Sequence, residues 1–248
     1  MINCLILIPA RFGSTRFPGK PLAKINGIPM IQYVVENCKE TGFDYAVVTD
    51  DSRIEEFVYE IGGSVVRVDD DVPSGSERIA LAYKRFFYNN KYDFVINVQG
   101  DEPLLKADTI VKIAQEHSKK KTDIFTGINE RSSSEEDFNN PNVVKCVYAK
   151  EEKICHYFSR AAIPFSRSIE DYSWFQHIGI YSYRPESLLR FVNLKPSVHE
   201  NLEKLEQLRA LDNGMSIGAE IVNVKLIGVD TQEDIKKVES FVVRGPNE

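Results

Sequence analysis

The chain has 248 residues, 42% apolar, 27% charged and 10% aromatic, a balance that suits a soluble globular protein and excludes collagenous, low-complexity and wholly disordered readings. Asp plus Glu (37) exceeds Lys plus Arg (31), giving a net charge of −6, and the one basic block, Lys119-Lys120-Lys121, closes a predicted helix, so nucleic acid is not expected as a partner. No run approaches the ~18 consecutive apolar residues of a membrane-spanning helix, and Met1-Ile2-Asn3-Cys4 lacks the basic start of a signal peptide, so the expectation is a cytoplasmic protein without membrane insertion.

Leu5-Ile6-Leu7-Ile8 is a short continuous apolar run and reads as a strand buried on both faces of a parallel sheet. Helix is expected from Ile31 to Cys38, and strands at Tyr45–Thr49, Ser64–Val68 and Phe94–Val98. Ser52-Arg53-Ile54-Glu55 reads as a capping box opening a helix that Gly62-Gly63 closes; Ser74-Gly75-Ser76-Glu77 opens another carrying Ile79, Ala82, Tyr83 and Phe86. This alternation implies right-handed βαβ units. From about Asn129 the pattern changes to short β-like runs at Val143–Tyr148, Ile154–Phe158 and His177–Tyr183, which look like an insertion. Leu202, Leu205, Leu208 and Leu211 then suggest one helix ending at Gly214, Ile221–Val224 a return to strand, and the residues after Asp230 a final helix. The length is read as one domain, 1–248, with a core of about 1–130 and 205–243 and an insertion of about 131–204. Cys4, Cys38, Cys146 and Cys155 are scattered without a CxxC pair and are expected as buried reduced thiols.

The densest chemical signal follows the first strand, in Pro9-Ala10-Arg11-Phe12-Gly13-Ser14-Thr15-Arg16-Phe17-Pro18-Gly19-Lys20-Pro21. Ligands of parallel α/β sheets bind beyond the carboxyl ends of the strands, where glycines admit a polyphosphate to the backbone and cations neutralise it. The loop is not a P-loop, because Pro21 follows Lys20 where a Ser or Thr should hold magnesium, and there is no GxGxxG. Gln99-Gly100-Asp101-Glu102-Pro103 ends the fourth strand; Asp101 reads as a magnesium ligand or as the cap of the next turn. Asp230 reads by itself as a helix N-cap, and as a second magnesium ligand if its strand finishes on the edge that carries Asp101. The Ser74–Arg78 segment suits an anion, a nucleobase edge or plain capping. No Ser/His/Asp or Cys/His arrangement stands out, and Arg160, His177, Tyr181 and the pair Glu206-Gln207 suit either a polar pocket or a satisfied core.

Ile8-Pro9-Ala10-Arg11, Pro18-Gly19-Lys20-Pro21-Leu22, Ala46–Asp51, Pro73–Arg78, Asn97–Pro103, Tyr157–Pro164, His177–Tyr181, Leu205–Leu211 and Gly228–Asp234 together resemble the bacterial 3-deoxy-manno-octulosonate (Kdo) cytidylyltransferases, also called CMP-Kdo synthetases. Single pieces occur in other sugar nucleotidyltransferases, but the ordered set, from residue 3 to about 240, is specific. The resemblance implies an α/β nucleotide-diphospho-sugar transferase fold: a mostly parallel Rossmann-like sheet, helices on both faces, and a β-rich insertion through which a homodimer pairs. It implies the reaction of CTP with Kdo to give CMP-Kdo and pyrophosphate with Mg2+, for lipopolysaccharide biosynthesis; an amino analogue of Kdo or another acid sugar, or a non-catalytic sugar-nucleotide binding protein, are the alternatives. Carried over by motif, Arg11 and Lys20 would grip the CTP phosphates, with Pro9 and Ala10 beside them, Ser74, Gly75 and Arg78 would lie at the cytidine, and Gln99 and Asp101 would also contact the nucleotide. Asp101 and Asp230 would hold magnesium, and Gln99, Arg160, His177, Tyr181, Glu206 and Gln207 would face the sugar acid. Glu77 stands where many relatives carry Asp.

Overall fold

The structure, a computed structural model, describes residues 2–13, 17–168 and 170–242. The chain forms two compact units, Met1–Val111 with Lys225–Glu248, and Lys112–Val224. This differs from a single domain with an insertion at about 131–204. The reason lies in the strand pairing described below, which draws residues from both sides of those bounds into the second unit.

In the first unit the chain runs β1 (Cys4–Ala10), a small hairpin of β2 (Lys24–Ile25) and β3 (Ile28–Pro29), α1 (Met30–Glu40), β4 (Asp44–Thr49), α2 (Ser52–Glu60), β5 (Val65–Arg67), α3 (Gly75–Ala82) and β6 (Phe94–Val98). The strands lie in the order β5-β4-β1-β6, and each of these pairings is parallel. The apolar run of β1 is buried throughout Cys4–Ile8, as a strand with neighbours on both sides and packing on both faces requires. Ser74 caps α3 as expected, accepting from the Glu77 N–H at 3.3 Å. The α2 cap is corrected by one residue. Asp51, extended and held by the Arg53 guanidinium at 2.9 and 2.7 Å, accepts from the Arg53 N–H, which makes Ser52 the first helical residue.

The end of the chain returns to this unit. Val229, Ile235 and Val238, the last two on the C-terminal helix Gln232–Glu239, pack against Ile25 and Met30 as a buried cluster. Each such side chain contributes about 1.5–3 kcal/mol on burial, enough together to fix a segment with no strand partner of its own. The cap of that helix is Thr231, in a reciprocal capping box with Asp234, so the N-cap reading of Asp230 is overturned.

Helix α4 (Ala107–Ser118) leads into the second unit, which contains β7 (Ile124–Ser132), β8 (Lys145–Ala149), β9 (Ile154–Ser159), β10 (Ser173–Tyr183), α5 (Pro185–Phe191), α6 (Val198–Glu203), α7 (Gln207–Asp212) and β11 (Ile217–Ile221). Its strand order, β10-β7-β11-β9-β8, is mixed: β11 runs parallel to β7, and the other pairings are antiparallel. Gln176 and Phe175 of β10 also pair with Lys145 and Cys146 of β8, which closes the order on itself. Two expectations fail here. The expected strand 221–224 lies at 217–221, because the Asn129 side chain takes over beyond it, donating to Val224 O at 2.6 Å and accepting from Val224 N at 2.9 Å. The single leucine-rich helix is two short ones, broken where Lys204 adopts φ 54°; buried Arg209 of α7 closes the corner on Glu200 of α6 at 2.7 and 2.9 Å, and Leu202 is left exposed.

The four cysteines are free and buried. Among the described residues no helix is long and apolar enough to cross a membrane.

Candidate active site

The carboxyl ends of β1 and β6 open onto a cavity of about 350 Å³. Seven of the expected nucleotide residues line it, namely Pro9, Ala10, Arg11, Lys20, Gly75, Gln99 and Asp101, together with Gly13, Pro21, Met30 and Gly100. Two glycines are required by close approach. A Cβ on Gly100 would stand 2.9 Å from Pro9 O, so glycine lets the ends of the two strands pack. Gly19 has φ +74°, donates its N–H to Phe12 O at 2.8 Å, and has the Phe12 ring 3.0 Å from where a Cβ would be; this closes the basic loop on itself, with the Arg53 guanidinium 3.3 Å above that ring. Ser14, Thr15 and Arg16 of the loop lie outside the described residues.

Ser74 and Arg78 do not line the cavity. Ser74 is occupied as the α3 cap, and Arg78 is 1% exposed. Its guanidinium pairs with Asp50 at 2.7 Å and donates to Val68 O and to Asp70 O, the latter at 3.4 Å. Burial lowers its pKa against the pull of Asp50. Arg11 donates to Val72 O at 2.7 Å, so Arg11 and Arg78 together hold the backbone of 68–72 beside the cavity.

Lys20, Asp101 and Asp230 meet. The Lys20 Nζ lies 2.6 Å from Asp101 Oδ2 and 3.2 Å from Asp230 Oδ1. The junction is enforced by the backbone, since Val229 N–H donates to Asp101 O at 3.0 Å, and Gly228 is where Glu102 Oε1 would stand 3.2 Å from a Cβ. Burial alone would lower the Lys20 pKa, but Asp101 and then Asp230 outweigh it and hold the ammonium above the usual lysine range. The neighbouring Glu102 is pushed up to about 8 by burial, with Asp101 adding and Lys20 opposing, and its Oε2 is buried without a hydrogen-bond partner among the described residues. The residues fit a hard cation. Two carboxylates already converge on one positive charge at the cavity wall, and magnesium takes one or two carboxylates, leaving its other positions to phosphate oxygens and water. Among the described residues no group of three or more His, Cys, Asp or Glu side chains is arranged for a metal, so substrate oxygens would have to complete the set.

The expected sugar residues other than Gln99 lie in the second unit. A register shift in β10 between Ile178 and Tyr181 is filled by buried Thr126, whose one hydroxyl hydrogen is shared between the strand carbonyls at Ile180 (2.7 Å) and Ile178 (3.0 Å), so that its oxygen accepts from His177 Nε2 at 3.1 Å. That assigns the Nε2–H tautomer of His177, leaving Nδ1 as an acceptor. Burial pushes the His177 pKa down to about 3, so the ring is neutral at physiological pH. The Tyr181 ring is 5.3 Å from it, and the Tyr181 phenol is held well above its usual pKa by burial, with Tyr183 and Glu206 adding. His177, Tyr181 and Glu206 therefore form one group. Gln207 begins α7, with a buried Nε2 unpartnered among the described residues. Arg160 spends its guanidinium on carbonyls, Glu203 O at 2.7 Å, Pro141 O at 2.9 Å and Lys204 O at 3.4 Å. Sequence reasoning missed three residues: Glu102, whose only signal was the acidic doublet at the strand end; Asp50, partner of Arg78; and Lys145, fully buried and donating to Asn140 O, Val143 O and Arg160 O at 2.7–2.8 Å.

The sequence matches the cytidylyltransferase family over residues 5–217. It is 42% identical over 247 residues to a 3-deoxy-manno-octulosonate cytidylyltransferase from Cytophaga hutchinsonii, covering 96% of each chain. It is also 42% identical over 244 residues to an 8-amino-3,8-dideoxy-manno-octulosonate cytidylyltransferase from Shewanella pealeana, covering 96% of this chain and 98% of the other. The structure resembles that of a CMP:2-keto-3-deoxy-manno-octonic acid synthetase complexed with CTP, with TM-score 0.88, 34% identity and coverage of 96% and 98%. With its α/β architecture of helices on a mixed sheet, the chain belongs to the cytidylyltransferase family and is a nucleotidyltransferase.

Proposed function

We propose that this enzyme activates Kdo, transferring the cytidylyl group of CTP to the sugar's anomeric hydroxyl with release of pyrophosphate, and so supplies CMP-Kdo for lipopolysaccharide. The observation that carries this reading is the meeting of Lys20, Asp101 and Asp230 at a cavity rimmed by Pro9, Ala10, Arg11 and Gly75. In-line attack on the α-phosphorus needs positioning and neutralisation of charge far more than a protein nucleophile. Gly75 and Gly100 keep the cavity wall open to backbone-hugging phosphates, and Arg11 and Lys20 supply cations for the departing pyrophosphate. Asp101 and Asp230 would hold Mg2+, which polarises the α-phosphate and acidifies the attacking hydroxyl when bound. Buried Arg78 acts at the cytidine through the 68–72 backbone. His177, Tyr181, Glu206 and Gln207 face the sugar acid; the neutral His177 offers an acceptor to a sugar hydroxyl, and Gln207 offers a donor to the carboxylate. No side chain is assigned as general base. In this reading the parallel strands of the first unit are a Rossmann-like nucleotide core, and the β-rich second unit carries the sugar residues and the contact surface of a cytoplasmic homodimer.

Pyrophosphate release from CTP and Mg2+ tests the reading, with Kdo, its 8-amino-3,8-dideoxy analogue and a sialic acid offered in parallel. Kdo should give the highest kcat/KM. The amino sugar is included because relatives named for either sugar are equally similar to this chain. Asp101→Ala should lower turnover about a thousandfold, the loss of ~4 kcal/mol of transition-state stabilisation. Near-normal turnover in that variant would reject the metal assignment.

A further inference from the structure

Lys20 is bound to the very oxygens that suit a divalent cation. Its Nζ is within hydrogen-bond distance of Asp101 Oδ2 and Asp230 Oδ1, and its side chain is mostly buried. A magnesium ion bonded to carboxylate oxygen at ~2.0–2.1 Å competes with an ammonium for the lone pairs of the same oxygens, and two positive charges that close repel. The lysine has somewhere to go. It lines the cavity beside Arg11, Gly75 and Gly100, and its flexible four-carbon stem lets Nζ swing while the backbone, anchored by Leu22 N–H on Gly19 O at 2.9 Å, stays in place. An ammonium leaving two carboxylates needs a new anion, and the triphosphate that the cavity is proposed to take supplies one.

We infer that Lys20 is an exchangeable counter-ion of the Asp101–Asp230 pair: the divalent cation displaces its ammonium from the carboxylates, and nucleotide phosphate makes the displacement favourable by re-pairing it. The inference rests on the proposed function and adds a coupling to it. Metal by itself binds the protein poorly because it must strip Lys20 of its partners; nucleotide raises metal affinity, and metal raises nucleotide affinity by the same factor. One side chain thereby guards the carboxylates against metal that arrives without substrate.

The test measures Mn2+ binding by the electron paramagnetic resonance of free ion, on the full chain, with no nucleotide and at saturating α,β-methylene CTP. Lys20→Met, with Lys20→Gln as a second variant should the first fold poorly, should bind Mn2+ alone about tenfold or more tightly than wild type. With the analogue bound, wild type and variant should agree to within about threefold, because the lysine has by then left the carboxylates. A variant advantage that persists undiminished with the analogue means that Lys20 acts only as a fixed positive field, and overturns the exchange. So does a variant that binds Mn2+ alone no better than wild type, while Asp101→Asn still abolishes binding; in that case the metal assignment stands. If Asp101→Asn binds Mn2+ as wild type does, the metal assignment itself falls, and the exchange with it.

Discussion

Replacing Arg78 with Met removes a buried guanidinium and keeps most of its apolar stem, and the structure allows the cost to be worked out. Three interactions vanish: the ion pair to Asp50 at 2.7 Å and the hydrogen bonds to Val68 O and Asp70 O. Breaking a buried charge pair costs about 3–5 kcal/mol, mostly through the partner left uncompensated. The Asp50 side chain is 32% exposed and can rehydrate, which argues for the lower end, about 3 kcal/mol. For a chain of this size that is a fall in Tm of roughly 6–12 °C. The functional effect follows from what Arg78 holds. Freed of it, the 68–72 segment keeps Val68 N–H on Thr49 O at 2.9 Å, the Arg85 pair on Asp70 and the Arg11 bond at Val72 O, so its cavity side loosens, and Arg11 itself loses a fixed partner at the cavity wall. The KM for CTP should rise about tenfold, a loss of ~1.4 kcal/mol of binding, with kcat changed by less than about threefold because Lys20, Asp101 and Asp230 are untouched. Thermal unfolding and steady-state pyrophosphate release at varied CTP supply both readings. A variant with the lowered Tm but an unaltered KM for CTP would refute the reasoning, since the segment would then be irrelevant to the nucleotide.

Gly100→Ala drives a Cβ to 2.9 Å from Pro9 O, where backbone must move, so stability should drop by about 1–3 kcal/mol and CTP binding should weaken; calorimetric titration with unchanged affinity would speak against a close-packed strand edge. Lys145→Met leaves three half-buried carbonyls without their donor and should cost about 2–4 kcal/mol in urea unfolding, a cost below ~1 kcal/mol being the contrary result. His117 donates from Nε2 to Thr122 O and accepts Ser182 Oγ at Nδ1, and burial pushes its pKa down to about 4. Because the unfolded chain takes up the proton first, the contribution is full above the ordinary histidine pKa of about 6.5 and is lost as pH falls toward 4. Between pH 7 and 5 wild type should therefore lose about 2 kcal/mol more than His117→Gln, measured as the difference between their unfolding free energies at the two pH values; equal losses would contradict the neutral assignment.

What could be read without coordinates follows from locality. The apolar run of β1, the alternation that follows it and the basic loop from Pro9 to Pro21 are signals carried by neighbouring residues; the family resemblance added nucleotide roles for Gly75, Gln99 and Asp101, and the fold gathers them with Pro9, Ala10, Arg11 and Lys20 around one cavity. Asp101 was legible as a strand-end carboxylate, but the arrival of Asp230 beside it depends on the bond from Val229 to Asp101 and on three apolar side chains packing against Ile25 and Met30, contacts no spacing encodes. Arg78 looked like a ligand-facing cation and is a buried clamp; its sequence context is the same in either case, and only the position of Asp50 and Val68 decides. The leucines at every third position imitated one helix because periodicity is blind to a single left-handed residue such as Lys204. The bounds of the second unit were missed because they depend on strands far apart in sequence closing around β10.

The convergence of the C-terminal segment on Lys20 has a temporal side. The ribosome delivers Lys20 and Asp101 long before Asp230, so a growing polypeptide carries the lysine with one of its two anionic partners until the segment around Val229 has been made. The Asp101–Lys20–Asp230 junction is therefore a late-forming feature, completed only when Val229 packs against Ile25 and Met30 and its N–H reaches Asp101 O.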